Sequence, residues 1–287
     1  MQTLIQKESL AELNRLTDKE FYSISETVNS ITGITLPYSK KVMVEARLRK
    51  RLKELRYNSF TDYYNALFAN EINGDELLII IDLLTTNKTD FMREPNHYFF
   101  MRDYVLPEFY EENYNSNVGK FQIWSSACSS GEEVYTLAMF LSEFKIAYQN
   151  FDYNILGTDI STLVLQKAYQ AIYDEERISV IPIEFKKKYL LRSKDRQKKI
   201  FRIVPGLRVK ASFKRLNLMD EVLDVDNTFN VIFCRNVLIY FNRDIQQKVI
   251  SKLFTKLKPG GYLFLGHSET MFNRSEAIIQ VGPSIYK

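Results

Sequence analysis

The sequence predicts an all-helical N-terminal domain followed by an α/β domain built on a parallel sheet, and three observations carry that reading. Over residues 1 to about 85, apolar residues recur at helical spacing and nothing alternates with period two. From Phe121 onward, strand-like and helix-like stretches alternate, which is the pattern of a parallel sheet covered on both faces. That second region opens on FQIWSSACSSGEE, Phe121 to Glu133, an apolar run that passes through small residues to Gly131 and two acids before the helical pattern EEVYTLAMFLSEF. Backbone approaches a ligand closely only where side chains are small. A strand ending in such a turn and feeding a helix makes a ligand cradle at the strand's carboxyl end. About 26 residues beyond Glu133, a second apolar run, NILGTDIS, ends in Asp159. An acid in that place accepts ribose hydroxyls, so the two strand ends read as a nucleotide-type site.

In the helical part, Asp18 to Gly33 carries Phe21, Ile24, Val28 and Ile31 at helical spacing, with Gly33 as the stop. Ser39 is the expected cap of the next helix, which would set Val42, Ala46, Leu48, Leu52 and Leu55 on one side and arginines on the other. Ser59 or Thr61 starts TDYYNALFAN, and Gly74-Asp75 breaks the chain before DELLIIIDLLTTN. Later strands are expected at Phe121–Ser125, Tyr153–Thr158, Phe213–Leu218, Phe229–Cys234 and Gly261–Gly266. Helices are expected at Glu132–Tyr148, Thr162–Tyr169 and Arg243–Leu257, with KPGG (Lys258 to Gly261) ending the last and opening the final strand. Between about 183 and 211 the pattern lapses into short, basic, β-prone pieces, too long for an ordinary connection, so a small inserted β-hairpin unit is expected there.

Composition narrows the function classes. The chain has 287 residues, 45% apolar and 26% charged, ordinary values for a soluble globular protein. Its N-terminus contains acids and no unbroken apolar run, so no signal peptide is expected. The longest apolar runs, such as LLIII, fall far short of the roughly 20 residues a membrane helix needs. Cys128 and Cys234 have no metal-type spacing and suggest buried thiols of a reduced, cytoplasmic protein. The net charge of +4 conceals polarisation: Lys40–Arg56 carries +6 and Lys186–Arg215 carries +12, leaving −14 on the remainder. Two basic segments on an acidic body imply a polyanionic partner: nucleic acid, an anionic membrane or an acidic protein surface.

Six motifs occur in order: TTNKTDFMRE (Thr85 to Glu94), WSSACSSGEE, GTDIS (Gly157 to Ser161), Asn217-Leu218, FCRNVLIYF (Phe233 to Phe241) and LKPGGYLFLGHSE (Leu257 to Glu269). This set resembles the chemotaxis receptor methyltransferases, the CheR family, from about Thr85 to the C-terminus, and the preceding helical domain fits as well. The resemblance implies a Rossmann-like S-adenosylmethionine methyltransferase domain over 118–287, with the small inserted antiparallel β-subdomain. An all-α domain over 1–85 would precede it, joined by a linker over 86–117 that contributes to the cofactor site. It implies S-adenosyl-L-methionine as methyl donor, S-adenosyl-L-homocysteine as product, and receptor glutamates as acceptors. By motif, the implied cofactor contacts are Asn87, Thr89, Arg93, the acidic pair Glu132 and Glu133 (Glu133 slightly preferred), Asp159, Asn217, Leu218, Arg235 and Asn236. Arg93 and Tyr240 are the implied catalytic residues, and no metal is implied. Some members of the family anchor to a receptor-tail peptide through a glycine-containing loop of the inserted unit. Here RSKDRQKKIFRI has no glycine, so direct docking is expected instead, through the basic segments on acidic receptor helices, with no nucleic acid bound and no insertion into the membrane.

The residues themselves suit that chemistry. A glutamate with pKa about 4.3 is already anionic near neutral pH, so methyl transfer to it needs no general base. Each site residue has a structural alternative: Asp159 as a helix cap, Glu133 as a first-turn acid, Asn236 as a turn former, Tyr240 as a core tyrosine, Arg93 in an ion pair with Glu94 or Asp90. His97 and His267, the chain's two histidines, read as hydrogen-bonding or structural residues. Competing functions are an RNA or DNA methyltransferase, which the charge favours but the proline-free CRNVLIYF does not, and a non-catalytic cofactor-binding signalling module. An NAD-dependent dehydrogenase lacks its triple-glycine turn here.

Overall fold

A computed structural model describes residues 15–69, 75–113, 119–195, 197–226, 228–271 and 278–287. The chain divides into two units: Met1–Thr86 with Tyr240–Asn242, and Asn87–Ile239 with Arg243–Lys287.

The first unit is helical. Helix α1 (Asp18–Thr32) opens on a capping box between Thr17 and Glu20 and closes on Gly33, whose φ of 72° only glycine adopts without cost. Ser39 does not cap the next helix. It lies inside a 3-10 turn, Tyr38–Lys40, which runs directly into α2 (Lys41–Glu54). The buried face of α2 is Val44, Leu48 and Leu52, spaced four apart, whereas Val42 is 79% exposed. Ser59, rather than Thr61, caps α3 (Phe60–Phe68) by accepting from Asp62 N. Helix α4 (Glu76–Leu84) follows Asp75; Gly74 lies outside the described residues. The arginines of α2 turn inward more than its charge pattern suggested. Arg51 forks onto Glu76, which also accepts the Tyr63 hydroxyl at 2.7 Å. Arg47 donates to the Leu83 and Thr85 carbonyls, Arg49 pairs with Glu45 and Lys41 with Asp18.

In the second unit, residues expected as part of a linker form α5 (Pro95–Phe100), a π turn (Met101–Val105) and α6 (Leu106–Asn113). Strand β1 (Phe121–Ser125), helix α7 (Glu132–Ala147), β2 (Tyr153–Asp159) and α8 (Thr162–Gln170) follow as the alternation predicts. The inserted unit is a three-stranded antiparallel sheet of β3 (Ile172–Asp174), β4 (Leu190–Arg192) and β5 (Ile200–Ile203), in the order β3-β5-β4. It therefore begins before residue 183, because a three-residue strand is too short to show a period. Helices α9 (Ile183–Tyr189) and α10 (Pro205–Arg208) belong to the same stretch.

The main sheet is completed by β6 (Ala211–Arg215), β7 (Phe229–Cys234), β8 (Leu257–Leu265), β9 (Gln280–Gly282) and β10 (Ile285–Tyr286), with α11 (Arg243–Phe254) between β7 and β8. Its order is β6-β2-β1-β7-β8-β10-β9. Strands β6 to β8 are parallel, and β10 and β9 add an antiparallel edge. Strand β6 starts two residues before the expected Phe213. KPGG does not end a helix but lies within β8, where the pairing with β7 slips between Phe229 and Val231 and Gly260 adopts φ 72°. Its turn chemistry makes an irregularity in a strand. Register aligns Ser125 of β1 with Gly157 of β2 and Phe233 of β7, so these strands end along one crest. The chain runs from β1 to β2 on one side and reaches β7 on the other, and such a reversal opens a crevice at the strand ends. Below it Trp124, Phe121, Phe233 and Phe264 are buried, the last two stacked 4.5 Å apart. Both cysteines are buried and free, as expected.

Candidate cofactor and catalytic site

At the crest, the chain leaves β1 through Ser125 and Ser126 and turns at Cys128–Gly131 into α7. Gly131 has φ 94°, and a Cβ there would meet Ala168 Cβ at 2.9 Å, so this turn admits only glycine. The loop is pinned to the neighbouring strand ends: Ser126 N donates to the Phe233 carbonyl, Cys128 N to the Thr158 carbonyl, and Ser129 N to Asp159 Oδ2 at 2.9 Å. Asp159 Oδ1 accepts from Ser161 N, but the α8 cap is Ser161 itself. Asp159 is thus an 8% exposed carboxylate at the end of β2, not the helix cap. Ser129 Oγ donates to the Asn87 carbonyl at 3.0 Å, which brings the first motif to the same loop. The Thr89 carbonyl accepts from Arg177.

A second group of side chains centres on Arg235, just past β7, whose side chain is 2% exposed. Its Nη2 and Nε donate to Glu94 Oε2 at 2.9 and 3.2 Å, and its Nη1 donates to Glu133 Oε2 at 2.9 Å and to the Tyr98 hydroxyl oxygen at 3.0 Å. Glu133 also accepts the Ser125 hydroxyl at 2.8 Å. The two acids of the glycine turn therefore differ: Glu133 joins the cluster, while Glu132 is buried, accepts from Ser130 and lies 3.8 Å from Arg177. Burial raises the Glu132 carboxyl above its ordinary pKa. Burial alone would raise Glu94 too, but the Arg235 guanidinium and the Asn236 amide outweigh it and hold Glu94 below the usual carboxylate range.

Asn236 takes φ 57° and donates from Nδ2 to Glu94 Oε1 at 3.1 Å. Behind it Glu269, 4% exposed, accepts from the backbone N–H groups of Asn236, Gly266 and Ile239. A Cβ on Gly266 would sit 2.7 Å from both Asn236 Nδ2 and Glu269 Oε2, so glycine lets the β7 and β8 ends close on one another. Glu94 itself has φ 54° and precedes Pro95, a neighbour that disfavours the ordinary helical conformation. Beside the cluster, His97 is 1% exposed and His267 about half exposed, their rings 5.0 Å apart. Burial, reinforced by Arg235, pushes His97 down to about 4, so it is neutral.

Of the remaining sequence-predicted residues, Arg93 donates to the Lys88 carbonyl, and its own carbonyl accepts from Arg235. It pairs with neither Glu94 nor Asp90 by any contact described; Asp90 pairs with Arg177. Asn217 and buried Leu218 follow β6, where Asn217 Oδ1 accepts from Met219 N. Tyr240 ends a 3-10 turn, Leu238–Tyr240, and groups with the first unit, its carbonyl accepting from Thr35 N. Sequence reasoning passed over Glu94, Tyr98, Ser125 and Glu269 as site residues. Glu94 and Glu269 close two of the quoted motifs and Ser125 lies within a third, which was the available signal; Tyr98 lies in none of them.

S-adenosylmethionine carries a positive sulfonium and ribose hydroxyls, and the crest fits it on both counts. Arg235 against Glu94 and Glu133 leaves one uncompensated negative charge for a cation, and Asp159 supplies a carboxylate acceptor at the adjacent strand end.

The family description "CheR methyltransferase, SAM binding domain" matches residues 87–286, and "CheR methyltransferase, all-alpha domain" matches 19–85. A chemotaxis protein methyltransferase of Borreliella burgdorferi is 38% identical over 95% of each chain. Chemotaxis protein methyltransferase 2 of Pseudomonas aeruginosa is 34% identical over 94% of this chain and 93% of its own. The Escherichia coli K12 chemotaxis protein methyltransferase is 32% identical over 96% and 93%. With a charge-asymmetric crest on a Rossmann-like sheet, an all-α unit before it and both parts matched in order, the chain belongs to the CheR methyltransferase family and uses S-adenosylmethionine.

Proposed function

We propose that the protein transfers methyl groups to glutamate side-chain carboxylates of chemoreceptors, forming methyl esters in the cytoplasm. The observation that carries this reading is the Glu94–Arg235–Glu133 cluster beside Asp159: a site with one excess negative charge suits a cationic donor and an acceptor that needs no activation. When bound, S-adenosylmethionine supplies an electrophilic methyl group on sulfur. The protein's tasks are then alignment and partial desolvation, because attack joins an anion to a cation and consumes both charges. Asp159 takes the ribose hydroxyls, and Asn87, Thr89, Asn217 and Leu218 line the nucleoside part. Arg235, Glu133 and Asn236 hold the amino-acid part, and Arg93 clamps a carboxylate with its fork while Tyr240 orients the acceptor.

The acceptor helices dock on exposed basic groups. Because Lys41, Arg47, Arg49 and Arg51 are engaged within their own unit, the docking charge of Lys40–Arg56 reduces to the exposed Lys40, Lys50, Lys53 and Arg56. The Lys186–Arg215 segment adds steering, moderated by pairs such as Lys188–Glu143 and Lys199–Glu175. Docking is direct, without a receptor-tail tether; micromolar binding of an isolated tail peptide would overturn that part.

The test is to incubate the protein with radiolabelled methyl donor and receptor-bearing membranes. Base-labile methanol is expected, and a folded Arg93→Ala variant should lose most of it. Label that survives mild base, as on a nucleobase amine, sinks the ester reading.

A further inference from the structure

The histidines beside the cluster point beyond methyl transfer. We propose that Glu94, His97 and His267 form a binding site for a borderline divalent transition metal, of the zinc or cobalt class. One ligand atom from each converges, all within 4.8 Å of one another. Glu94 Oε2 lies 3.7 Å from His97 Nδ1 and 4.0 Å from His267 Nε2. Tetrahedral bonds of about 2.0–2.2 Å put ligand atoms roughly 3.3–3.6 Å apart, so the two distances from Glu94 need little closure and the remaining separation, at most 4.8 Å, needs about 1 Å. His267 can supply it, because its side chain is 48% exposed and can turn.

His97 carries the stronger observation. Its Nε2 lies 3.4 Å from the Pro283 carbonyl oxygen, which can only accept, so Nε2 holds the proton. Nδ1 then presents a bare lone pair toward Glu94 Oε2. It is buried and has no hydrogen-bond partner, in a residue 1% exposed. A lone pair facing a carboxylate is unfavourable unless a cation lies between them. The rest of the surroundings match a metal's outer shell: one imidazole N–H on a backbone carbonyl, and the ligating carboxylate held by other donors, here Arg235 and Asn236. Two imidazoles and one carboxylate favour zinc, cobalt or nickel over magnesium or calcium. Three protein ligands leave a fourth position open. Resting on the cofactor reading above, a bound dication beside the crest should weaken binding of the cationic donor, making the site inhibitory.

Untagged full-length protein is titrated with Co²⁺, reading the visible absorption of tetrahedral Co²⁺, and then displaced with Zn²⁺. One ion per chain is expected, with affinity falling about 100-fold in His267→Ala and in His97→Gln. Absence of saturable one-to-one binding, or equal affinity in wild type and His267→Ala, overturns the site. Circular dichroism monitors folding; should the buried His97 variant misfold, His267→Ala alone decides. Calorimetry with S-adenosylmethionine, with and without Zn²⁺, separates the two ideas. Metal binding without any cofactor binding leaves the site standing and sinks the methyltransferase reading, and the reverse result does the opposite.

Discussion

Each unit sets an arginine against carboxylate and tyrosine, yet the two networks differ in what they leave over. In the helical unit, Arg51 forks onto Glu76, whose remaining capacity takes the Tyr63 hydroxyl; one cation meets one deeply buried anion, with Glu54 at the exposed rim. In the second unit, Arg235 meets two carboxylates from different elements, and both reach hydroxyl or amide donors as well. The first network is satisfied and joins α2 to α4. The second keeps an unbalanced negative charge at a strand crest, which ordinary folding would avoid. The lesson is that burial of an ion pair does not by itself suggest a site; a charge left over at the end of a strand is the better pointer.

Arg235→Ala is the severest way to break this contrast. It strands Glu94 and Glu133 without a counter-charge and should cost about 3–5 kcal/mol in denaturant unfolding, together with cofactor binding. Asp159→Ala should spare the fold more and weaken cofactor affinity by roughly 10- to 100-fold, as loss of charge-assisted hydrogen bonds does; calorimetry showing unaltered affinity would remove Asp159 from the site. Arg51→Ala should cost about 1–3 kcal/mol of stability through the buried Glu76, with cofactor affinity unchanged. A loss of affinity there would mean the helical network is no mere joint. The smallest effect belongs to Tyr63. Burial, and then its bond to Glu76, raises the Tyr63 phenol well above its usual value. Its stabilising share is full below about pH 10, the unfolded value, and is lost as pH rises toward the higher folded one. Tyr63→Phe should therefore flatten part of the alkaline stability loss, measured as unfolding midpoints at rising pH.

Much of the second unit was legible in order. Hydrophobic runs located β1, β2 and β7, and small residues before Gly131 located the turn, because both signals are local. KPGG misled because glycine and proline report a backbone break without saying whether it lies at a helix end or inside a strand. The arginines of α2 misled more: helical periodicity places residues on faces, but Arg47 and Arg51 reach around their own helix to α4 and the residues after it, a partner chosen by packing. The motifs named both Arg93 and Arg235 but not the depth at which each is held: Arg235 is buried among Glu94, Glu133 and Tyr98, whereas Arg93 reaches the Lys88 carbonyl.

What the sequence by itself determined was the alternation of elements, the glycine turn, Asp159 at its strand end and the family's motifs, all written within short windows of chain. Only the tertiary structure decided that Glu94, Tyr98, Glu133 and Arg235 meet, that Glu132 does not join them, and that His97 presents a bare nitrogen toward Glu94. The contacts of Arg235 join residues more than a hundred positions apart, and the electrostatics of all these groups depend on burial, which local pattern does not encode.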